Sequence, residues 1–183
     1  MAKIILGLAG ELASGKGTAA KYIKEKYNGS SHRFSTMIRD VLERMYLEIN
    51  RENLQKISTI FRENFFDDIL SSVISKDVEN DKHKIIAIDG VRRMADITYL
   101  KKLERFRLVY IDADIEKRYS RIIKRGENND DTQKTFQEFE NDHAREAELQ
   151  IQDLKNKADF VIDNNGSFED LYIQVDKIIR ELY

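Results

Sequence analysis

A three-layer α/β fold on a five-stranded parallel sheet is what this sequence predicts, and two observations carry that prediction. Five short apolar runs alternate with stretches whose apolar residues recur at helical spacing, the pattern of a parallel sheet covered on both faces. The first run also leads directly into Gly-Glu-Leu-Ala-Ser-Gly-Lys-Gly-Thr at positions 10–18, a glycine-rich turn that opens a helix. At 183 residues the chain fits one domain with a full core. Its formal charge of −2 provides no global basic field for nucleic acid or a membrane surface. Cysteine is absent, which excludes disulfides, thiol catalysis and thiolate metal sites. No stretch approaches the ~18 apolar residues of a membrane span, and the run near Ile4 is too short for a signal peptide, so a cytoplasmic protein is expected.

The elements follow in order. Ile4-Ile5-Leu6 and Leu8-Ala9 form the first strand, and Ala20, Ile23 and Tyr27 mark a helix over Thr18–Tyr27. Asn28-Gly29-Ser30-Ser31 turns the chain into a short second strand, His32-Arg33-Phe34. Helical text runs from Thr36 to Lys76 with a break near Asn50–Asn53, and Leu54, Ile57, Phe61, Phe65, Ile69 and Val73 make one apolar stripe there. A crossover needs only one helix, so this stretch, about 36–76, builds something beyond a connection. Ile85-Ile86-Ala87-Ile88 reads as a buried parallel strand that ends at Asp89-Gly90, and a helix is expected over Met94–Arg105. Leu108-Val109-Tyr110-Ile111 is the fourth strand, with a helix over Ile115–Arg125 after it. The polar stretch from Gly126 to Thr132 reads as a loop, part of a short lid at about 126–135. Thr135–Lys157 reads as helical, Phe160-Val161-Ile162 as the fifth strand and Phe168–Leu182 as the closing helix.

The segment at 10–18 fits G-x-x-x-x-G-K, a phosphate-binding loop. Gly10, Gly15 and Gly17 let the backbone curl, so that the amides through Ala13, Ser14 and Lys16 face one concavity at a positive helix end. Lys16 then reaches the β/γ-phosphates of ATP. Gly17 intervenes before Thr18, which makes Thr18 a phosphate contact and a weaker candidate for Mg²⁺. Asp89, at the end of an apolar strand, suits an Mg²⁺-holding carboxylate, with a capping role on the next turn as the other reading. Phosphoryl transfer needs charge neutralised, which makes arginines informative. Arg92 and Arg93 follow the third strand at the sheet edge where ligands of open α/β sheets bind. Arg118, Arg121 and Arg125 share one helical face. Asp130 and Asp131 read as a solvated loop, Phe61, Phe65 and Phe66 as core, and His32, His83 and His143 as scattered, without metal spacing.

The G-K-G-T loop, the helical insertion and the Asp-Gly strand end together resemble the nucleoside monophosphate kinases, adenylate kinase included, which have a P-loop NTPase fold. The family's Asp-Gly-Phe-Pro-Arg corresponds to Asp89-Gly90-Val91-Arg92-Arg93, which puts its acceptor arginine on Arg93, with Arg92 an equal carrier because the proline is missing. Ser35-Thr36-Met37-Ile38-Arg39 loosely echoes the family's Ser-Thr-Gly-Asp-Met-Leu-Arg, which implies an acceptor-side role for Arg39. Arg121 and Arg125 match its paired arginines before the lid. A closer likeness is to small deoxynucleoside monophosphate kinase-like proteins that end in Ala-Asp-x-x-Ile-x-Asn-x-Gly, here Ala158 to Gly166. Dephospho-CoA kinase shares that ending but has an Asp-x-Asp pair after the second strand, where this chain has Phe34-Ser35-Thr36-Met37. The resemblance implies transfer of the γ-phosphate of ATP–Mg²⁺ to a nucleoside monophosphate, with small-molecule nucleotides as partners. A nucleotide-hydrolysing switch uses the same loop and is the rival expectation.

Overall fold

The computed structural model describes residues 3–125, 135–143 and 146–183. Five parallel strands, β1 (Ile4–Ala9), β2 (Ser30–Arg33), β3 (Ile85–Val91), β4 (Phe106–Asp112) and β5 (Phe160–Asp163), form one sheet in the order β2-β3-β1-β4-β5. Alternate residues of each strand point to opposite faces, which divides the core into two layers. On one face Ile5, Ile86, Ile88 and Leu108 pack against α2 (Phe34–Arg44), α4 (Ile69–Asn80) and α7 (Glu146–Lys155). On the other, Ile4, Leu6, Leu8 and Val109 pack against α1 (Lys16–Tyr27) and α8 (Phe168–Leu182). The remaining helices are α3 (Arg51–Asn64), α5 (Ile115–Arg125) and α6 (Phe136–His143). The three-layer α/β architecture expected from the sequence is the one observed.

Several expected boundaries are corrected, each for a local reason. Phe34 is not the last residue of β2; it is buried and opens α2, with Arg33 in extended conformation before it. The break in the insertion comes earlier than Asn50–Asn53. Tyr46 takes a left-handed conformation (φ 57°) and Leu47 N–H reaches back to the Leu42 carbonyl, which ends α2. Asn50 Oδ1 then accepts from Asn53 N–H and starts α3 at once. Helix α3 ends at Asn64, so the stripe from Leu54 to Val73 is split, and Phe65 and Phe66 are 66% and 45% exposed rather than core. The helix expected at Met94–Arg105 is replaced by two single 3₁₀ turns, Ala95–Ile97 and Leu100–Lys102. Side chains hold backbone donors at and within this stretch: Asp96 Oδ2 accepts from Arg92 and Arg93 N–H just ahead of it, and Ser71 Oγ from Tyr99 N–H inside it. Within the stretch expected to be helical over Thr135–Lys157, the described residues form α6 and α7.

Helices α1 and α8 are joined by a polar knot. Asp176, buried, accepts from the Tyr22 and Tyr27 hydroxyls and from Lys26 at 2.7–2.9 Å, and Tyr22 stacks on Tyr172 with centroids 3.9 Å apart. Burial and the bond to Asp176 push the Tyr27 phenol up to about 12. Burial alone would raise the Asp176 carboxyl, but the bonds from Lys26, Tyr27 and Tyr22 outweigh it and hold the group below its ordinary range. A depressed folded-state value means that this stabilisation is present above about pH 4 and is lost as pH falls through the folded-state pKa. Asp176→Asn is therefore expected to melt well below the parent protein at pH 7, with the gap closing as melting is followed into acid. A gap of constant size would show that the carboxylate's charge is not what stabilises the knot.

Candidate active site

The turn after β1 is shaped by three left-handed residues, Gly10 (φ 144°), Ala13 (φ 61°) and Gly15 (φ 111°). A Cβ on Gly10 would strike the carbonyl of Ile111, and one on Gly15 the side-chain amide of Asn164. Gly17 departs from expectation: it takes no left-handed conformation and sits in the first turn of α1, where a Cβ would lie 3.9 Å from Asp89 Oδ2. Helix α1 starts at Lys16 with no side-chain cap and no acidic residue in its first turn. Its leading amides thus suit an anion at the positive helix end. Lys16 Nζ donates to the Gly10 and Glu11 carbonyls at 2.6 and 2.7 Å, so its ammonium is held at the loop itself. Ser14 is fully buried, and Thr18 is partly exposed in the first turn.

Asp89 pairs in register with Leu8 of β1 and Arg33 of β2, just before the loop begins. It is 7% exposed, and Arg33 Nε lies 3.4 Å from its Oδ2. Gly90 (φ 90°) adds one residue there, so the pairing skips from Leu8–Asp89 to Ala9–Val91. Such a bulge re-aims the side chains beside it. Among the described residues no group of three or more His, Asp or Glu could hold a metal ion alone. The Asp89 carboxylate, shared with Arg33, and the Thr18 hydroxyl in the first turn of α1 are oxygen donors of the kind a phosphate-borne Mg²⁺ with water ligands takes.

Beyond β3 lies a cluster that the sequence pattern did not disclose. Arg62, on α3, places Nη2 3.3 Å from Asp96 Oδ1, while Asp96 Oδ2 holds the Arg92 and Arg93 backbone amides. Burial first, and then the adjacent Arg93 charge, lower the Arg62 pKa from its ordinary value against the pull of Asp96. Arg62 Nε is buried without a hydrogen-bond partner. Asp96 thus meets the Arg62 guanidinium through one oxygen and the Arg92 and Arg93 backbone amides through the other, while the nearby Arg93 charge opposes the Arg62 charge and Asp67 supports it. Arg93 is half-buried beside Arg62, whereas the Arg92 side chain is exposed. Arg39, half-buried on α2, makes no hydrogen bond or ion pair among the described residues. Nothing local links Arg62 to Asp96, which lies 34 positions away, so no spacing rule could have found the pair.

The arginines of α5 divide by what they touch. Arg118, 4% exposed, is spent on the loop: its Nη2 pairs with Glu11 at 2.9 Å, Nε donates to the Ala113 carbonyl and Nη1 to the Leu12 carbonyl. Arg121 Nη2 donates to the Asn164 carbonyl at 2.7 Å, while its Nη1 is buried without a partner, and burial lowers its pKa. The Arg125 side chain lies outside the described residues, as do the lid positions 126–134 with Asp130 and Asp131. A cavity of about 130 Å³ opens at the sheet edge between α2 and α4, lined in part by Arg33, Thr36, Met37 and Asp40.

A parallel five-stranded sheet with a glycine-rich turn cradling a helix start defines the class: an α/β P-loop fold of the kinase-like type. The chain belongs to the AAA domain family AAA_18, whose model matches residues 6–150. Over 98% of its length it is 29% identical to the UPF0200 protein MJ1399 of Methanocaldococcus jannaschii, of which it covers 90%. It is also 29% identical to the UPF0200 protein PYRAB09750 of Pyrococcus abyssi, with 98% and 97% of the two chains covered. Among solved structures, TT1252 from Thermus thermophilus superposes over the whole of both chains with a TM-score of 0.66 at 15% identity. Shikimate kinase from Bacteroides thetaiotaomicron superposes over 98% of each chain with a TM-score of 0.65 at 12% identity. At those identities the likeness is one of fold. No described helix is long and apolar enough to cross a membrane.

Proposed function

We propose that this protein transfers the γ-phosphoryl group of ATP to the phosphate of a nucleoside or deoxynucleoside monophosphate. The observation that carries the reading is the pair of neighbouring arginine charges, Arg62 and Arg93, beyond β3, one strand end away from the phosphate loop. Neighbouring guanidiniums suit a phosphate, which a guanidinium binds bidentately. A neutral hydroxyl acceptor would offer those guanidiniums no charge to bind. In this scheme the loop amides and Lys16 hold the donor, and Arg62 and Arg93 hold the acceptor. Arg121, with Arg125 one turn further on, neutralises the transferring group. Mg²⁺, when bound by Asp89 and Thr18 with the donor phosphates, supplies neutralisation of the leaving charge. An acceptor phosphate oxygen forms the new bond to the γ-phosphorus as the bond to the β-phosphate oxygen breaks.

Product analysis tests the reading. ATP–Mg²⁺ with a panel of ribo- and deoxyribonucleoside monophosphates is expected to yield two diphosphates, whereas a hydrolysing switch yields one diphosphate and free phosphate. The best monophosphate should exceed dephospho-CoA by at least ~10-fold in catalytic efficiency, or ~1.4 kcal/mol. Turnover stimulated by dephospho-CoA alone would reassign the acceptor. The arginines should separate by substrate. Arg62→Ala and Arg93→Ala are expected to raise the acceptor KM at least ~10-fold with little change for ATP, because they remove binding on one side only. Exposed Arg92→Ala should change it less. Equal effects on ATP and acceptor would remove the assignment of the two sides.

A further inference from the structure

The ending Ala158 to Gly166 carries three residues with distinct chemistry, and two of them have local structural tasks. Asp159 Oδ2 accepts from Leu108 N–H at 2.7 Å and stitches the entry of β5 to β4. Gly166 leaves space for Asp170, which forms the capping box of α8 with Ser167. Asn164 is different, because its bonds leave its own neighbourhood. It is 5% exposed and touches three separate parts of the site. Its Nδ2 donates to the Ser14 carbonyl at 2.7 Å, its N–H donates to the Asp112 carbonyl at 2.8 Å, and its carbonyl accepts from Arg121 Nη2 at 2.7 Å. The turn around it is fixed further by Asp114 N–H on Asn165 Oδ1, 2.8 Å, and by Lys117 on the Asn165 carbonyl.

We propose that Asn164 is a positioning residue that sets the phosphate loop and Arg121 in one frame. In a planar trans peptide the C=O and the following N–H point in opposite directions. Holding the Ser14 carbonyl on the Asn164 side therefore turns the Gly15 N–H the other way, toward the inside of the loop. Gly15 has no Cβ, so the amide of Asn164 comes close enough to do this. The same residue's carbonyl fixes one arm of Arg121, leaving the buried Nη1 as the arm still without a partner. A backbone carbonyl and a side-chain amide on one residue thus align an anion-binding N–H with a guanidinium from another helix. The inference rests on the kinase reading above for what that alignment serves.

Three variants test it: Asn164→Ala, Asn164→Asp and Arg121→Ala. Asn164→Asp keeps the size but replaces the donor with an oxygen that repels the Ser14 carbonyl. ATP–Mg²⁺ affinity measured directly by calorimetry is expected to weaken ~10-fold in Asn164→Ala and more in Asn164→Asp, the loss of about one hydrogen bond or more. Asn164→Ala combined with Arg121→Ala should lower kcat by clearly less than the product of the single effects, as coupled groups do. Hydrogen exchange of the loop amides, read without nucleotide, should quicken in both Asn164 variants. A lowered melting temperature with unchanged affinity, unchanged loop exchange and multiplicative kcat effects would mean that Asn164 only holds the fold, and would overturn the proposal. Absence of any turnover in the parent protein, together with quickened loop exchange in the variants, would defeat the kinase reading while leaving the coupling in place.

Discussion

Lys16→Met is expected to lower phosphoryl-transfer turnover by about 10²–10³, or ~3–4 kcal/mol in transition-state terms. The magnitude follows from what the ammonium would do: stay with phosphate charge as that charge moves from acceptor to leaving group. Methionine keeps the length and removes the charge. In the structure Lys16 Nζ lies on the Gly10 and Glu11 carbonyls, which tether it but do not depend on it for backbone closure. The loop is closed instead by glycine geometry and by Arg118. Thermal melting of Lys16→Met should therefore stay close to that of the parent. Unchanged turnover with an unchanged melt would remove Lys16 from the chemistry.

Arg118→Met is expected to act in the opposite way, through stability. The guanidinium is almost fully buried and satisfies Glu11 together with the Ala113 and Leu12 carbonyls. Its removal strands a partly buried carboxylate and two acceptors, a loss of about 2–4 kcal/mol. For a chain of this size that corresponds to a melting temperature lower by roughly 5–15 °C. The companion variant Glu11→Gln with Arg118→Met should recover part of the loss, since no charge is then left alone. Equal melting of the single and double variants would show that the Glu11 pair is not what Arg118 contributes.

What could be read from the sequence was the part governed by short-range rules. The five strands, the loop at 10–18 and the bend at Asp89-Gly90 are each encoded within a few residues, by apolar runs and by glycine. The errors arose where side chains from elsewhere took over backbone groups. Met94–Arg105 has helical spacing, yet Asp96 turns back to hold the Arg92 and Arg93 amides ahead of it, and Ser71 claims the Tyr99 N–H, a donor that a helix would have used. Phe65 and Phe66 continue the period of α3, but the helix stops at Asn64 and leaves them outside. The glycine-rich loop and the place of Asp89, Arg92 and Arg93 at one strand end were legible, because they follow from short stretches of sequence; that the Arg92 side chain is exposed while Arg93 is half-buried was not. Arg62, Asp96 and Arg33 were not, since their pairings span the insertion or neighbouring strands. Arg118, Arg121 and Arg125 looked equivalent on one helical face, and only burial separates the loop clamp Arg118 from Arg121. Asn164 was present in the sequence as a motif letter without a function attached; its three partners supply one.

Helix α3 differs from the other long helices in having no fully buried side chain among its described positions, while Leu54, Ile57 and Phe61 rest only half-covered on the core. Local opening free energy scales with buried apolar contact, so α3 can detach at a fraction of the global unfolding free energy. Amide exchange should find it among the fastest-exchanging helices, ahead of α1 and α8. Arg62 travels with it. Any acceptor that uses Arg62 must then select the docked population of α3, and its apparent affinity is reduced by the undocked fraction. Substitutions that seat α3 more firmly would tighten acceptor binding without touching a single contact to the acceptor.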